Sequence, residues 1–339
     1  MVFGAILNQQ NKPLILDYFS FPQELDPKLV VVEMKAAGIC GKQLDEISGK
    51  AGHDKFLPHL LGHEGYGRVV KVGEECSRIK VGDLVCLHWR QNSTEVIPGP
   101  IHSWKGKKLN AGPVTAFSQY TICAENKLTK IPEGIEYEFA SILGCAYLTG
   151  YGIVKNDIGR IKDSSTLIFG AGGIGLSTLL FSSIAKVKEV YSVDYHDSKL
   201  DFAKSLGSER LRISELNKLN GKKFDFIIDT TSDIENINFA LNHLKPFGKI
   251  VLVGVPTLDQ SINLPINFLF QDKQIIGSHG GSVIPKEDIP EIISLKNNNQ
   301  NIFKLFPSET FDFKDINFAI ENVKQGNIGR AILEFSREN

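Results

Sequence analysis

Residues 165–184 read STLIFGAGGIGLSTLLFSSI. An apolar run ends in glycines, and the glycines open onto a helical pattern. Gly170, Gly172 and Gly175 carry the spacing G-x-G-x-x-G, with Gly173 and Ile174 between the last two. Between a strand and a helix this spacing has a mechanism. Gly170 permits the tight turn, Gly172 puts no side chain between backbone and a pyrophosphate, and Gly175 lets helix and strand close up. The helix N-terminus then offers free N–H groups and a positive dipole end to the phosphates. Working outward, KEVYSVD (188–194) reads as a strand, SKLDFAKSLG (198–207) as a helix closed by glycine, FDFIIDT (224–230) as a strand, INFALNHLKPFG (237–248) as a helix and KIVLVG (249–254) as a strand. Such alternation predicts a doubly wound parallel sheet, and its apolar strands suit a sheet covered on both faces. Asp194 ends the second strand, about 20 residues past the glycines, where a carboxylate can accept from the ribose hydroxyls and repel a 2′-phosphate. NAD is therefore expected over NADP. Lys199 is within reach of the same ribose, or lies on the helix surface.

The first part of the chain, to about Pro132, has a different texture. Short β-like runs such as KLVVVEMKAAGI, YGRVVKVG and GDLVCLHW are punctuated by turn residues, as in a β-barrel-like domain. After QIIGSHGGS the alternation stops, and the stretch ending GRAILEF reads as helix followed by a strand that rejoins the first domain. The expected organisation is α/β: a catalytic domain over 1–147 and 284–339, interrupted by a Rossmann dinucleotide-binding domain over 148–283. A net charge of −1 gives no general pull toward nucleic acid or anionic membrane. No window approaches a membrane span, and the N-terminus lacks the basic run of a secretory signal, so a cytoplasmic protein is expected. Five widely spaced cysteines, an odd number, argue for thiols rather than a disulfide framework. Three residues suit a metal, namely Cys40, His63 and Cys145, yet their spacing matches no local zinc motif, and a cysteine among apolar residues is more often core.

The fragments GICG (38–41), LLGHEGYGRVVKVG (60–73), VGDLV (81–85) and LGCAYLTGYG (143–152), followed by GAGGIG (170–175), resemble the zinc-dependent medium-chain alcohol and sorbitol dehydrogenases, with their GroES-like catalytic domain. They stand in that family's order over nearly the whole chain, weakest between Gln91 and Pro113. The resemblance implies one catalytic zinc on Cys40, His63 and Cys145, with an open fourth position. It implies that Glu64 is an acid beside the metal or an orienting group for His63. It places Gly254 and the run Gly277–Gly281 near nicotinamide and Arg330 on the pyrophosphate, and it suggests a homodimer or homotetramer joined through the dinucleotide domain. The activity implied is hydride transfer between an alcohol, polyol or sugar-derived hydroxyl and NAD.

Two departures stand out. The stretch 88–120 lacks the four cysteines that hold a structural zinc in many relatives. His88, Trp89, His102, Trp104 and Lys105 in this loop either line a polar, sugar-like substrate pocket or serve surface cover and subunit contact. Where relatives place a Ser or Thr to pass the substrate proton, this chain has Lys42; the next residue, usually Asp, is Gln43; and Asp45 stands where a histidine often ends the relay. Lys42 fits three roles: an acid/base with a depressed pKa, a grip for an anionic substrate group, or a residue turned away. Direct catalysis by Lys42, with Asp45 in the relay, is the expectation. Two other readings remain open: a zinc-free quinone or enoyl reductase of the same fold, and a non-catalytic NAD-binding protein. The loop favours a small polar alcohol as partner.

Overall fold

The computed structural model describes residues 1–50, 52–159, 162–219, 221–257 and 259–335. Strand Leu29–Ile39 is the seam of the first domain. Its β-branched and apolar residues are buried along nearly the whole length, and it pairs with Gly65–Val72, Tyr120–Ala124 and Arg330–Glu334. The sheet continues through Leu84–Leu87 and Leu128–Lys130 on one side and Ser308–Asp312 on the other. The end of the chain thus completes a sheet begun by its start.

A second sheet runs in the order Ile15–Phe19, Val2–Leu7, His59–Leu60, Lys107–Asn110, Ile101–Trp104. Its last two strands form a hairpin within the cysteine-free stretch. Strand Ile101–Trp104 alternates exposed and buried residues, which turns His102 and Trp104 inward. There Trp104 and Leu109 join Val2, Ile6, Phe19 and Leu60 in an apolar cluster. This packing, with backbone hydrogen bonds between Ser20 and Ser103 and from Asn110 to Pro58, holds the hairpin to the sheet.

His102 lies against the rings of Phe19 and Phe21 at 5.1 and 5.3 Å, and neither of its ring nitrogens has a hydrogen-bond partner. Burial drives its pKa down to about 4. His88, also buried, is driven down to about 4 by the same cause. Because the unfolded chain binds these protons near pH 6.5 and the folded chain resists them, stability is whole above that pH and falls as pH drops toward 4. At pH 5 each histidine costs about 2 kcal/mol. His102→Leu is expected to leave the protein as stable at pH 7.5, or more so, since it replaces unpaired nitrogens with apolar surface of similar volume. At pH 5 it should recover about 2 kcal/mol relative to the parent. Thermal melts at the two pH values check this, and a parallel acid loss in both proteins contradicts it.

The parallel sheet has six strands. Numbered in chain order they are Ser165–Phe169, Glu189–Asp194, Glu209–Arg212, Phe224–Asp229, Leu244–Leu252 and Gln274–Gly277, arranged 3-2-1-4-5-6. This is the doubly wound order with its crevice between strands 1 and 4. Helix Gly173–Ile184 follows the first strand, as the glycine spacing predicts. One boundary differs: the helix read over 237–248 ends at His243, and the chain turns extended from Leu244. Pro246 lacks the N–H a helix interior needs, which accounts for the early stop. Among the described residues, no helix is long and apolar enough to cross a membrane.

Candidate active site

Cys40 ends the seam strand and caps helix Gly41–Ser48, so its backbone is fixed on both sides. His63 lies in the link between His59–Leu60 and Gly65–Val72. Cys145 lies in Leu143–Tyr147, a widened π-type turn inside the helical segment that begins at Tyr137. A side chain at Gly144 would sit 1.9 Å from the Leu87 carbonyl oxygen, so only glycine lets this turn approach the sheet. The three elements bring one donor atom each within 4.8 Å of one another. His63 Nε2 is 3.3 Å from Cys145 Sγ, which is 3.9 Å from Cys40 Sγ. Two sulfurs on a tetrahedral zinc lie about 3.8 Å apart, and a sulfur and a nitrogen about 3.5 Å. The residues present therefore fit the metal. Cys145 donates its S–H to Cys40, and with the Arg330 cation nearby this holds the Cys40 thiol well below its ordinary pKa.

A second ring of buried groups surrounds the sulfurs. Gln43 bridges Cys40 and His63: its Oε1 accepts from the Cys40 N–H at 2.9 Å and its Nε2 lies 2.6 Å from His63 Nδ1. Glu64 is fully buried, accepts from the Ala146 N–H at 3.2 Å and pairs with Arg330 at 3.1 Å. Burial pushes its pKa up to about 7 against the opposing pull of Arg330. Arg330 also donates to the Ile39 carbonyl at 3.2 Å.

Arg330 reaches the dinucleotide loop as well. A side chain at Gly173 would come within 3.0 Å of its guanidinium carbon. Its Nε is buried without a hydrogen-bond partner, which suits a pyrophosphate oxygen at the helix N-terminus. Gly170 has φ +92°, and a Cβ on Gly175 would meet the Gly170 carbonyl oxygen at 1.8 Å, while Gly172 faces open space. Asp194 accepts from the Ala171 and His196 N–H groups at 2.8 and 3.0 Å, tying the loop to the second strand. Lys199 acts on Asp194 through its charge. Gly254 packs against Ser232 at the end of the fifth strand. The loop thus fits a dinucleotide.

His63 and Gln43 open onto a cleft of about 830 Å³. Its walls carry Glu46, Asp54 and His59, three residues that the sequence reading missed. Glu46 is one helical turn beyond Gln43 on helix Gly41–Ser48, the only available sign. Its carboxylate makes no hydrogen bond or ion pair among the described residues, and burial raises its pKa against the charges of His63, Lys42 and His59. His59 pairs with Asp54 at 2.8 Å. Asp45 also lines the cleft and stands 3.7 Å from Lys50. Lys42 is half-buried and off the lining, with its charge acting on Glu46.

The loop residues singled out in the sequence lie elsewhere. None of His88, Trp89, His102, Trp104 and Lys105 lines this cleft. Trp104 donates to Asp17 at 2.9 Å, Lys105 pairs with the same carboxylate at 3.0 Å, and His88 bonds Thr129 at 2.9 Å. Trp89 packs on His279 at 4.8 Å. The loop still walls the cleft, but through Gly99, Pro100, Ile101, Asn110, Ala111, Gly112, Val114 and Thr115; His88, His102 and Trp104 are absorbed by packing, and Trp89 lines a separate pocket with His279.

Comparison with known proteins agrees with this geometry. Residues 26–133 match the alcohol dehydrogenase GroES-like domain and residues 173–298 the zinc-binding dehydrogenase domain. Alcohol dehydrogenase 6 of Peromyscus maniculatus is 30% identical over 97% of this chain and 96% of its own. S-(hydroxymethyl)glutathione dehydrogenase of Synechocystis is 26% identical over 90% of this chain and 92% of its own. Benzyl alcohol dehydrogenase of Acinetobacter calcoaceticus shares the fold with a TM-score of 0.86 at 24% identity, covering 99% of both chains. With both domains matched and a relative 30% identical over nearly the whole chain, the chain belongs to the zinc-type medium-chain alcohol dehydrogenase family.

Proposed function

We propose that this protein is a zinc- and NAD-dependent dehydrogenase that oxidises a small polar alcohol, polyol or sugar-derived hydroxyl, or reduces the matching carbonyl. The observation that carries the reading is the convergence of Cys40, His63 and Cys145 within 4.8 Å, with His63 opening on a cleft that also carries Glu46, Asp54 and His59. Zinc held by Cys40, His63 and Cys145 would supply Lewis-acid stabilisation of the substrate oxygen, and NAD held at Gly170–Gly175 would supply the hydride acceptor. The chain's own residues do the rest. Asp194 and the glycine loop select and seat the dinucleotide, with Arg330 on its phosphates. Glu64, buried against Arg330, keeps that cation aligned between the two sites. Glu46 takes the hydroxyl proton as the carbonyl forms and releases it to the open cleft, and Lys42 keeps a positive charge near it. Asp45, Asp54 and His59 bind further hydroxyls of the substrate. This assignment gives Glu46 the acid/base role expected of Lys42, because Glu46 faces the cleft.

Five free cysteines suit a reducing compartment such as the cytoplasm. Exposed Phe247, Ile266, Leu269 and Phe270 beside the edge strand Gln274–Gly277 support a homo-oligomer built through the dinucleotide domain. The test is elemental analysis of purified protein together with a screen of polyols and sugars for reduced-nicotinamide absorbance. About one zinc per chain with NAD-linked turnover is the expected result. Turnover without zinc would favour the zinc-free reductase, and zinc or NAD binding without turnover on any alcohol the non-catalytic reading.

A further inference from the structure

Gln43 is 1% exposed and both ends of its amide are engaged. The Cys40 backbone N–H can only donate, so the atom facing it at 2.9 Å is the amide oxygen. The amide nitrogen then faces His63 Nδ1 at 2.6 Å and donates to it. Nδ1 is thereby an acceptor, and a ring that carries one proton has it on Nε2, pointing at Cys145 Sγ 3.3 Å away. That tautomer suits a metal-free thiol cluster. It is the wrong one for a metal, which needs the Nε2 lone pair and leaves Nδ1–H to be donated to an acceptor.

We propose that Gln43 holds His63 in the Nε2–H tautomer and so sets the zinc affinity of the site below that of the same site with a carboxylate at position 43. This rests on the zinc reading above. To ligate through Nε2, the ring proton must move to Nδ1 and the amide must turn over to accept it. The turned amide presents NH₂ to the Cys40 N–H, and a buried backbone donor loses its partner. Glutamate has the same length and two acceptor oxygens. One takes the Cys40 N–H while the other takes Nδ1–H, and nothing is left unpaired. Groups that orient a metal-bound histidine are worth about 10–100-fold in metal affinity.

The test uses the metal-free full chain and Gln43→Glu. Zinc alone is titrated against a chromogenic chelator, and the His63 ring ¹⁵N shifts are read before zinc is added. Gln43→Glu is expected to bind zinc about 10–100-fold tighter, and the parent ring is expected to carry its proton on Nε2. Equal or weaker zinc binding by Gln43→Glu, or an Nδ1–H ring in the metal-free parent, overturns the role of Gln43 while leaving the zinc reading intact. If the parent takes up no zinc, the zinc reading falls, and the proposal falls with it. The parent's ring tautomer decides the matter even where the variant fails to fold.

Discussion

Cys145→Ser is expected to lose zinc and to lower kcat/KM on the order of 10³-fold, the rate equivalent of several kcal/mol of charge stabilisation at the substrate oxygen. The reasoning is geometric and chemical together. The Cys145 sulfur lies within 4 Å of both other donors, at 3.3 and 3.9 Å. A serine hydroxyl there is shorter, is a poorer zinc ligand than a thiolate, and stays protonated at neutral pH. Two ligands remain, too few for a catalytic site that ordinarily has three. The glycine loop is untouched, so NAD affinity should change little. Zinc content and NAD binding, measured side by side, separate these effects. A variant that keeps its zinc and full turnover sinks the three-ligand site.

Glu46→Gln is expected to lower kcat for alcohol oxidation about 10²-fold, the lower range for loss of a general base, while KM moves far less. Glutamine keeps the shape and the hydrogen-bonding reach but cannot take a proton. The pH profile carries the sharper signature. In the parent, oxidation needs the ionised carboxylate, and burial has raised its pKa above the ordinary value. Activity should therefore fall as pH drops through that raised pKa and recover above it, and the variant should lack this limb. Lys42→Met, which removes a charge favouring the ionised form, should shift the limb to higher pH. An unchanged limb in Glu46→Gln would move the proton to another group.

The dinucleotide half was legible because its evidence is local. Strand, glycines and helix lie within one short stretch, and Gly170 and Gly175 answer to contacts that a Cβ would violate, while Gly172 leaves open space for a ligand. The candidate metal ligands come from separations of 82 and 105 residues, so no window contains them, and only the ordered set of fragments brought them together. Glu46 was hidden because a short helix shows its cleft face only once its neighbours are known. In the loop the cleft-lining residues were not the ones composition singled out: Gly99, Pro100, Ile101 and Asn110 to Gly112 line it instead. His102 and Trp104 are two apart in a strand, and that period placed them together on a buried face. For these two side chains composition had offered a pocket where periodicity indicated a core.

The seam strand Leu29–Ile39 carries Cys40 at its end and takes Arg330–Glu334 as a neighbour. The Arg330 hydrogen bond to Ile39 spans 291 residues. During synthesis at about 5–20 residues per second, the seam strand waits roughly 15–60 s for that neighbour. The parallel sheet is complete by Gly277, so its strands are all made before the closing strand emerges. The order of assembly follows from the order of the chain. The cofactor half can fold while the ribosome is still at work, and the edge of the metal half stays open until Arg330 arrives to close it.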